Sequence, residues 1–417
     1  MTRHLFPIAA LLLGSGFLFF AGGINALLLP LRGTQEGFST LSLGLLGTGW
    51  AIGFVSGCLI VSKIVARVGH IRSFSVMAAL ASLAVLASLM LVTPYAWIPL
   101  RAVSGFCFAG AAMIMESWLN ERVDKESRGQ VFGVYQMVNL TATTAGQMLL
   151  TVGDTRGYGF FVFAAMVYSL ALLPTALSSS RAPQPLVRAN LNLKDLWVNS
   201  PVSVVSVVLL GTSNSAFGTL GAVYATQVGM PLFFIALFVA LPLLAGAVIQ
   251  VPVGAASDRM DRRIVMIAVG SLAVFADILF IAVAEPAPLI RVGFAILFGM
   301  AVFTLYPLAV AHANDHAEPE SYVQTAAGLL LLFGTGSMIG PLAAGAAMGA
   351  LGPSGLFWVT LVTHTCFLGY TLYRISQREA VPVEDRSSFV ATPSARNTTP
   401  QTSALQTGNE ADGGQAT

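Results

Sequence analysis

The 417-residue chain is 55% hydrophobic and 10% charged, with a formal net charge of +2 and a mean hydropathy of +0.77. An average soluble domain is about 25% charged, so no soluble fold hides this much apolar surface, and the weak net charge gives a nucleic-acid partner no footing. The chain reads as an integral membrane protein whose first partner is the lipid bilayer.

A hydrocarbon core of about 30 Å takes about 20 mostly apolar residues per helix. Twelve such runs are predicted in chain order: 6–31, 41–66, 73–93, 96–119, 130–152 and 158–178, then 201–225, 230–256, 264–284, 289–312, 322–348 and 354–376. The first is too long for the apolar stretch of a secretory signal and is followed by many like it, so it reads as a retained helix. The polar stretch "SSSRAPQPLVRANLNLKDLWVNS" divides the runs six and six. The expected organisation is a six-helix bundle over 1–178, a cytoplasmic linker over 179–200, a second six-helix bundle over 201–376 and a disordered cytoplasmic tail over 377–417. The tail is assigned on its Ser, Thr, Pro, Asn, Gln and Gly content.

Basic residues set the orientation. With twelve spans, fifteen Lys and Arg in the segments flanking the spans, from Arg3 to Arg378, fall on the side of the N-terminus, and Arg32 and Arg156 alone fall on the other. This asymmetry alternates loop by loop and places both termini and the linker in the cytoplasm. Cys58, Cys107 and Cys366 lie inside apolar runs with no CxxC and no His at ligand spacing. They read as small packing residues, and neither a disulfide, a metal nor a cofactor is expected.

The two halves share landmarks. "LLGSG" in the first run matches "LLGTSN" in the seventh; "GCLIVSKIVARVGHIR" after the second matches "VPVGAASDRMDRR" after the eighth; "PLRAVSGFCFAG" opens the fourth and "PLIRVGFAILFG" the tenth. Arg101 and Arg291 thereby occupy equivalent early turns, as expected of a duplicated bundle.

On these residues the chain resembles the major facilitator superfamily over about 5–376. "GAASDRMDRR" (Gly254 to Arg263) is similar to its G-x-x-x-D-R-x-G-R-R signature, with Asp261 where the pattern has Gly. The first-half copy keeps Gly57 and the basic turn without the acidic residue, and Arg101-x-x-x-Gly105 resembles the superfamily's helix-four arginine motif. "MESWLNERVDKESRGQVFGVYQMVNL" and "LYPLAVAHANDH" resemble the YcaD-type branch of bacterial facilitators. The resemblance implies an all-α fold of twelve membrane helices in two pseudo-symmetric six-helix bundles. It also implies a monomeric secondary transporter in the bacterial cytoplasmic membrane, moving a small-molecule substrate by alternating access.

An ionisable side chain at membrane depth costs about 2.5 kcal/mol or more, and so is a functional candidate by default. Arg101 and Arg291 read either as solute-anion contacts or outer gates, or as guanidiniums reaching the outer interface or tying helices together. Glu116, followed by Asn120, Glu121 and Arg122, reads either as the carrier of a coupling proton and part of an inner gate, or as a helix-end carboxylate paired with Arg128. Asp277 is a second coupling candidate. A structural contact is favoured there, because ninth helices of the resembled fold pack on the outside, and His364 reads as a packing residue.

Asn25, Gln136, Asn139, Gln147, Asn214 and Tyr306 fall on helices that line the solute path in the resembled fold, where they would supply specificity or bond neighbouring helices. Gln136 and Asn139 share a helix face. Gly254, Asp258, Arg259, Arg262 and Arg263 form the expected cytoplasmic latch, holding helices eight, nine and eleven. "GTGSMIGPLAAG" combines Gly334, Gly336 and Gly340 with Pro341, which removes a backbone hydrogen bond, and marks helix eleven as a flexing element.

No GxxxxGK[ST] loop is present, so a gradient must supply the energy, with a proton on Glu116 as the expected coupling ion in symport or antiport. A gradient-independent facilitator of the same fold is the alternative, distinguished by pH-independent flux. A membrane-embedded enzyme is not expected, since there is no HExxH and no acid pair at catalytic spacing within a span; nor is a receptor, since every loop is short.

Overall fold

The computed structural model describes residues 9–122, 127–176, 192–318, 321–377, 379, 381–392 and 395–402. All regular elements among them are helical. The first half contains α1 (Ala9–Gln35), α2 (Thr40–Val68), α3 (His70–Met90), α4 (Pro94–Arg122), α5 (Arg128–Leu149) and α6 (Gly159–Leu170). The second contains α7 (Pro201–Gln227), α8 (Leu232–Arg259), α9 (Arg262–Ala282), α10 (Pro288–Asn314), α11 (Tyr322–Leu351) and α12 (Gly355–Ile375).

Ten of these helices are long and apolar enough to cross a membrane. The other two of the twelve expected spans are α5 and α6. In α5 the stripe from Gln136 through Gln147 dilutes the apolar character. In α6 the helix breaks near Ala171 and resumes as Leu172–Ala176, because Pro174 has no N–H to give the preceding turn. Most of the expected linker lies outside the described residues; its last part forms a short helix, Leu193–Asn199, capped by Asn192.

Local sequence explains the helix ends. Ser200 caps α7 by accepting from the Ser203 N–H at 3.2 Å, and Asp261 caps α9 by accepting from the Arg263 N–H at 2.9 Å. The ends of α1 and α7 are built alike. Gly37 (φ 76°) and Gly229 (φ 74°) adopt the left-handed conformation after each helix, the next N–H reaches back to the carbonyls of Gly33 and Ala225, and the glycine N–H bonds the carbonyls of Thr34 and Thr226. This termination needs a residue without Cβ at the turn, and its repetition is the internal duplication in backbone form.

The chain forms two compact units. One contains α1 with its turn to Phe38, the chain from Gly49 through α6, and residues 399–402. The other contains Ser39–Thr48, α7 through α12, and the tail up to Thr398. In the first, α1 packs on α5 and α3 on α4; in the second, α7 packs on α11 and α8 on α10.

Glycines make these pairings close. A Cβ on Gly23 would lie 2.3 Å from the Thr143 carbonyl oxygen, and one on Gly146 2.2 Å from that of Phe20, so α1 and α5 meet backbone to backbone. In the α7–α11 pair a Cβ on Gly336 would lie 2.0 Å from the Val208 carbonyl oxygen and one on Gly340 2.0 Å from that of Thr212. Gly53 against Ala102 joins α2 to α4, and Gly299 against Pro242 joins α10 to α8. Lipid offers no hydrophobic incentive for helices to associate, so such small-residue contacts supply the van der Waals attraction that does.

Candidate functional site

In the first unit a polar cluster forms where α1, α4 and α6 converge. Gly22 leaves room on α1 for the Phe108 ring and the Tyr168 hydroxyl. One turn on, Asn25 is 3% exposed, hydrogen bonds Tyr168 and keeps its Oδ1 without a partner. Arg101 of α4 is 8% exposed and its charge faces the same tyrosine. The structure thus brings Asn25 and Arg101 together through a residue that the sequence did not single out.

Glu116 lies further along α4 and is 2% exposed. The Tyr135 hydroxyl of α5 donates to its Oε1 at 3.1 Å, and the Thr399 hydroxyl donates to its Oε2 at 2.5 Å. Thr402 bonds the same carboxyl. Its described partners are thus the Tyr135, Thr399 and Thr402 hydroxyls and the Thr402 backbone N–H, and the alternative pairing with Arg128 lies outside the described side chains. Asn139 is buried beside Tyr135, Gln136 is half-buried on the same helix, and Gln147 is buried next to the Gly146 contact.

In the second unit Asn214 of α7 is buried with its Oδ1 unpartnered, and the ring of Tyr306 on α10 lies 5.1 Å from that of Phe333 on α11. Gln250 of α8, which the sequence reading passed over, is fully buried and donates to the Phe303 carbonyl at 3.0 Å.

Arg291 is tied to structure. Its Nη1 donates to the Tyr224 hydroxyl of α7 at 2.9 Å and its Nε to the Pro286 carbonyl at 3.0 Å. Asp277 and His364 form a fully buried pair between α9 and α12, Nδ1 to Oδ2 at 2.6 Å, and the Thr360 hydroxyl donates to the other carboxylate oxygen at 2.6 Å.

At the start of α9, Arg262 is 1% exposed and bonds Asp258 of α8 (3.1 Å), Ser257 (3.1 Å) and Asp315 just past α10 (2.7 Å). The third element it holds is thus the end of α10 and not α11. Arg263 pairs with Asp261 at 2.8 Å, and Arg259 is exposed. Burial pushes the Asp261 carboxyl up, but the bonds from Arg263 outweigh it and hold the group below the ordinary range. Gly334, Gly336, Gly340 and Pro341 are all buried in α11. Gly336 and Gly340 are points of contact with α7, and the Pro341 carbonyl oxygen lies 2.2 Å from where a Cβ on Gly44 would stand.

Buried polar groups on ten membrane-length apolar helices are features of a membrane transporter. The sequence profile of the Major Facilitator Superfamily matches residues 11–336 and 205–404, and the chain belongs to that family. Its relatives include an MFS-type transporter of Yersinia enterocolitica, 28% identical over 355 residues covering 82% of this chain and 88% of the relative. Another is YcaD of Escherichia coli, 25% identical with the same coverage. Among solved structures, the nucleoside transporter NupG superposes with a TM-score of 0.73 at 12% identity, covering 89% of this chain and 98% of that one. A bacterial homolog of the human lysosomal transporter Spinster superposes at 0.69 and 16%, covering 91% and 98%. At these identities the structural likeness establishes the fold.

Proposed function

We propose that the chain is a proton-coupled secondary transporter of a small solute, working by alternating access with both termini in the cytoplasm, and that Glu116 carries the proton. The observation behind this reading is the company Glu116 keeps. A charge at membrane depth is costly, yet the Tyr135 hydroxyl of α5 bonds this carboxyl, and a hydroxyl donates to a carboxylate and accepts from a carboxylic acid. That bond can therefore be kept whether or not the group holds a proton.

The solute side of the reading rests on Asn25 and Arg101 in the first unit and on Asn214 in the second. The unpartnered oxygens of Asn25 and Asn214 are buried acceptors in need of a donor. The fifteen-to-two distribution of basic residues supports cytoplasmic termini.

A thermal-shift screen of the purified protein identifies a solute, since a ligand of the folded state raises its melting temperature. Uptake or efflux is then measured in vesicles with an imposed pH gradient. Wild type is expected to accumulate solute with the gradient and Glu116→Gln to lose that accumulation. Undiminished gradient-driven accumulation by Glu116→Gln removes Glu116 from the coupling role. Flux indifferent to pH in the wild type assigns the chain to facilitated diffusion.

A further inference from the structure

The described C-terminal residues 381–392 and 395–402, expected to lack structure, are held against the helices by polar contacts. In the second unit Arg386 donates to the Met260 carbonyl at 2.5 Å, and the N–H and hydroxyl of Ser387 both donate to Asp315 at 3.0 and 2.9 Å. Arg262 bonds the Ser387 carbonyl, and the Phe389 N–H donates to Asp258 at 3.1 Å. The two acids that hold Arg262 thus hold the tail as well. The Phe389 ring covers Gly254, where a Cβ would stand 2.3 Å from it.

Further along, the Thr392 carbonyl accepts from Gln250 at 2.9 Å, and Arg396 donates to the Thr219 hydroxyl of α7 at 3.2 Å while lying over Gly218. In the first unit Thr399 donates to Glu116. Ala395, Thr398, Thr399, Gln401 and Thr402 are each 6% exposed or less. A segment this poor in apolar side chains cannot be held by its own hydrophobic burial. Its attachment is a set of hydrogen bonds, each worth about 0.5–1.5 kcal/mol net against water, and that makes it releasable.

We propose that residues 386–392 and 395–398 are an inhibitory strap: the chain's own tail occupies Gln250 and Thr219 of the second unit and has to leave before these groups can serve a solute. The consequence for turnover rests on the transport reading; the seating of the tail does not. The strap is a pseudo-ligand, an extended hydroxyl- and amide-bearing peptide on polar side chains that a solute would otherwise meet.

The test uses the full chain with Cys58, Cys107 and Cys366 replaced by Ser and Gln250→Cys introduced. Labelling by a membrane-permeant maleimide in membrane vesicles reports whether position 250 is covered. Arg386→Ala combined with Arg396→Ala is expected to speed labelling by about tenfold or more, the factor corresponding to 1.4 kcal/mol of lost attachment. Termination after Gln377 is expected to speed it further. A second measurement guards against misfolding of those variants: Gly254→Cys with Phe389→Cys in the full chain, whose β-carbons the ring contact brings close, is expected to form an intramolecular disulfide under mild oxidation. Equal labelling with and without the tail, or no disulfide in the full chain, overturns the strap. Neither readout uses a solute or the Glu116 proton, so this failure and a failure of the coupling reading are separable.

Discussion

Replacing Gly336 by alanine tests the packing that shapes the second unit. The added Cβ would stand 2.0 Å from the Val208 carbonyl oxygen, while ordinary contact begins at 3.4 Å, so the α7 and α11 backbones must part locally by about 1.4 Å. The obstacle is main chain, which cannot rotate aside as a long side chain can. A gap of about 0.5–1 Å already forfeits a quarter to a half of the dispersion attraction across a contact. Gly211 and Gly340 lie on the same line of approach and loosen with it. Overpacking of this kind costs about 1–3 kcal/mol, and the helix propensity of alanine returns up to about 1 kcal/mol. The expected net loss is therefore about 1–2 kcal/mol. Thermal unfolding of the purified protein in detergent, followed by far-ultraviolet circular dichroism, should show Gly336→Ala melting several degrees below wild type. Gly293→Ala and Gly369→Ala, where a Cβ meets no atom within 4 Å, should melt at or slightly above it. Gly146→Ala, 2.2 Å from the Phe20 carbonyl, should repeat the loss in the first unit. A Gly336→Ala protein as stable as Gly369→Ala would refute the backbone-contact argument.

Breaking the buried pair by Asp277→Asn or His364→Ala is expected to cost about 3–5 kcal/mol, since each leaves an uncompensated polar or charged partner in a dry interface. The double variant should recover part of the loss, and additive losses in denaturation would show that the two side chains do not act as a pair. Asp261 gives a pH signature: its carboxyl sits below its ordinary range, so its contribution is fully present above about pH 4 and fades as the pH falls through the lower folded value. Asp261→Asn keeps the cap acceptor and removes the charge, so its stability deficit against wild type should be larger at about pH 7 than near about pH 3.5. A deficit that grows on acidification contradicts the assignment.

The all-helical fold class was readable because hydrophobic length is a local signal that needs no knowledge of packing. Arg101 and Arg291 were also marked as candidates, being ionisable residues early in apolar runs. Their partners were not readable. Tyr168 and Tyr224 lie 67 residues from their arginines, and one tyrosine among nine carries no mark of which guanidinium it meets. Asp315 was hidden likewise, because it becomes part of the latch only when the end of α10 is brought to Arg262.

The glycines of α11 show a different limit. Gly336, Gly340 and Pro341 suggest bending when read within one helix, but Gly336 and Gly340 have their contacts on another helix, and composition cannot say which of the two uses applies. The seating of the described tail residues was hidden for a related reason. Its composition reports that it cannot build a core, and it does not; Asp258, Asp315, Gln250 and Glu116 supply the partners that its backbone and hydroxyls require.

The glycine seams have a mechanical consequence. Two helices in contact along their main chains resist bending as a laminated strut does, because sliding one past the other would drive carbonyl oxygens into α-carbons. The α1–α5 and α7–α11 pairs are such struts, and each should carry load as a single piece. Reporter groups placed at Gly293 or Gly369, outside the laminated seams, would then register movement of the neighbouring struts without wedging them apart.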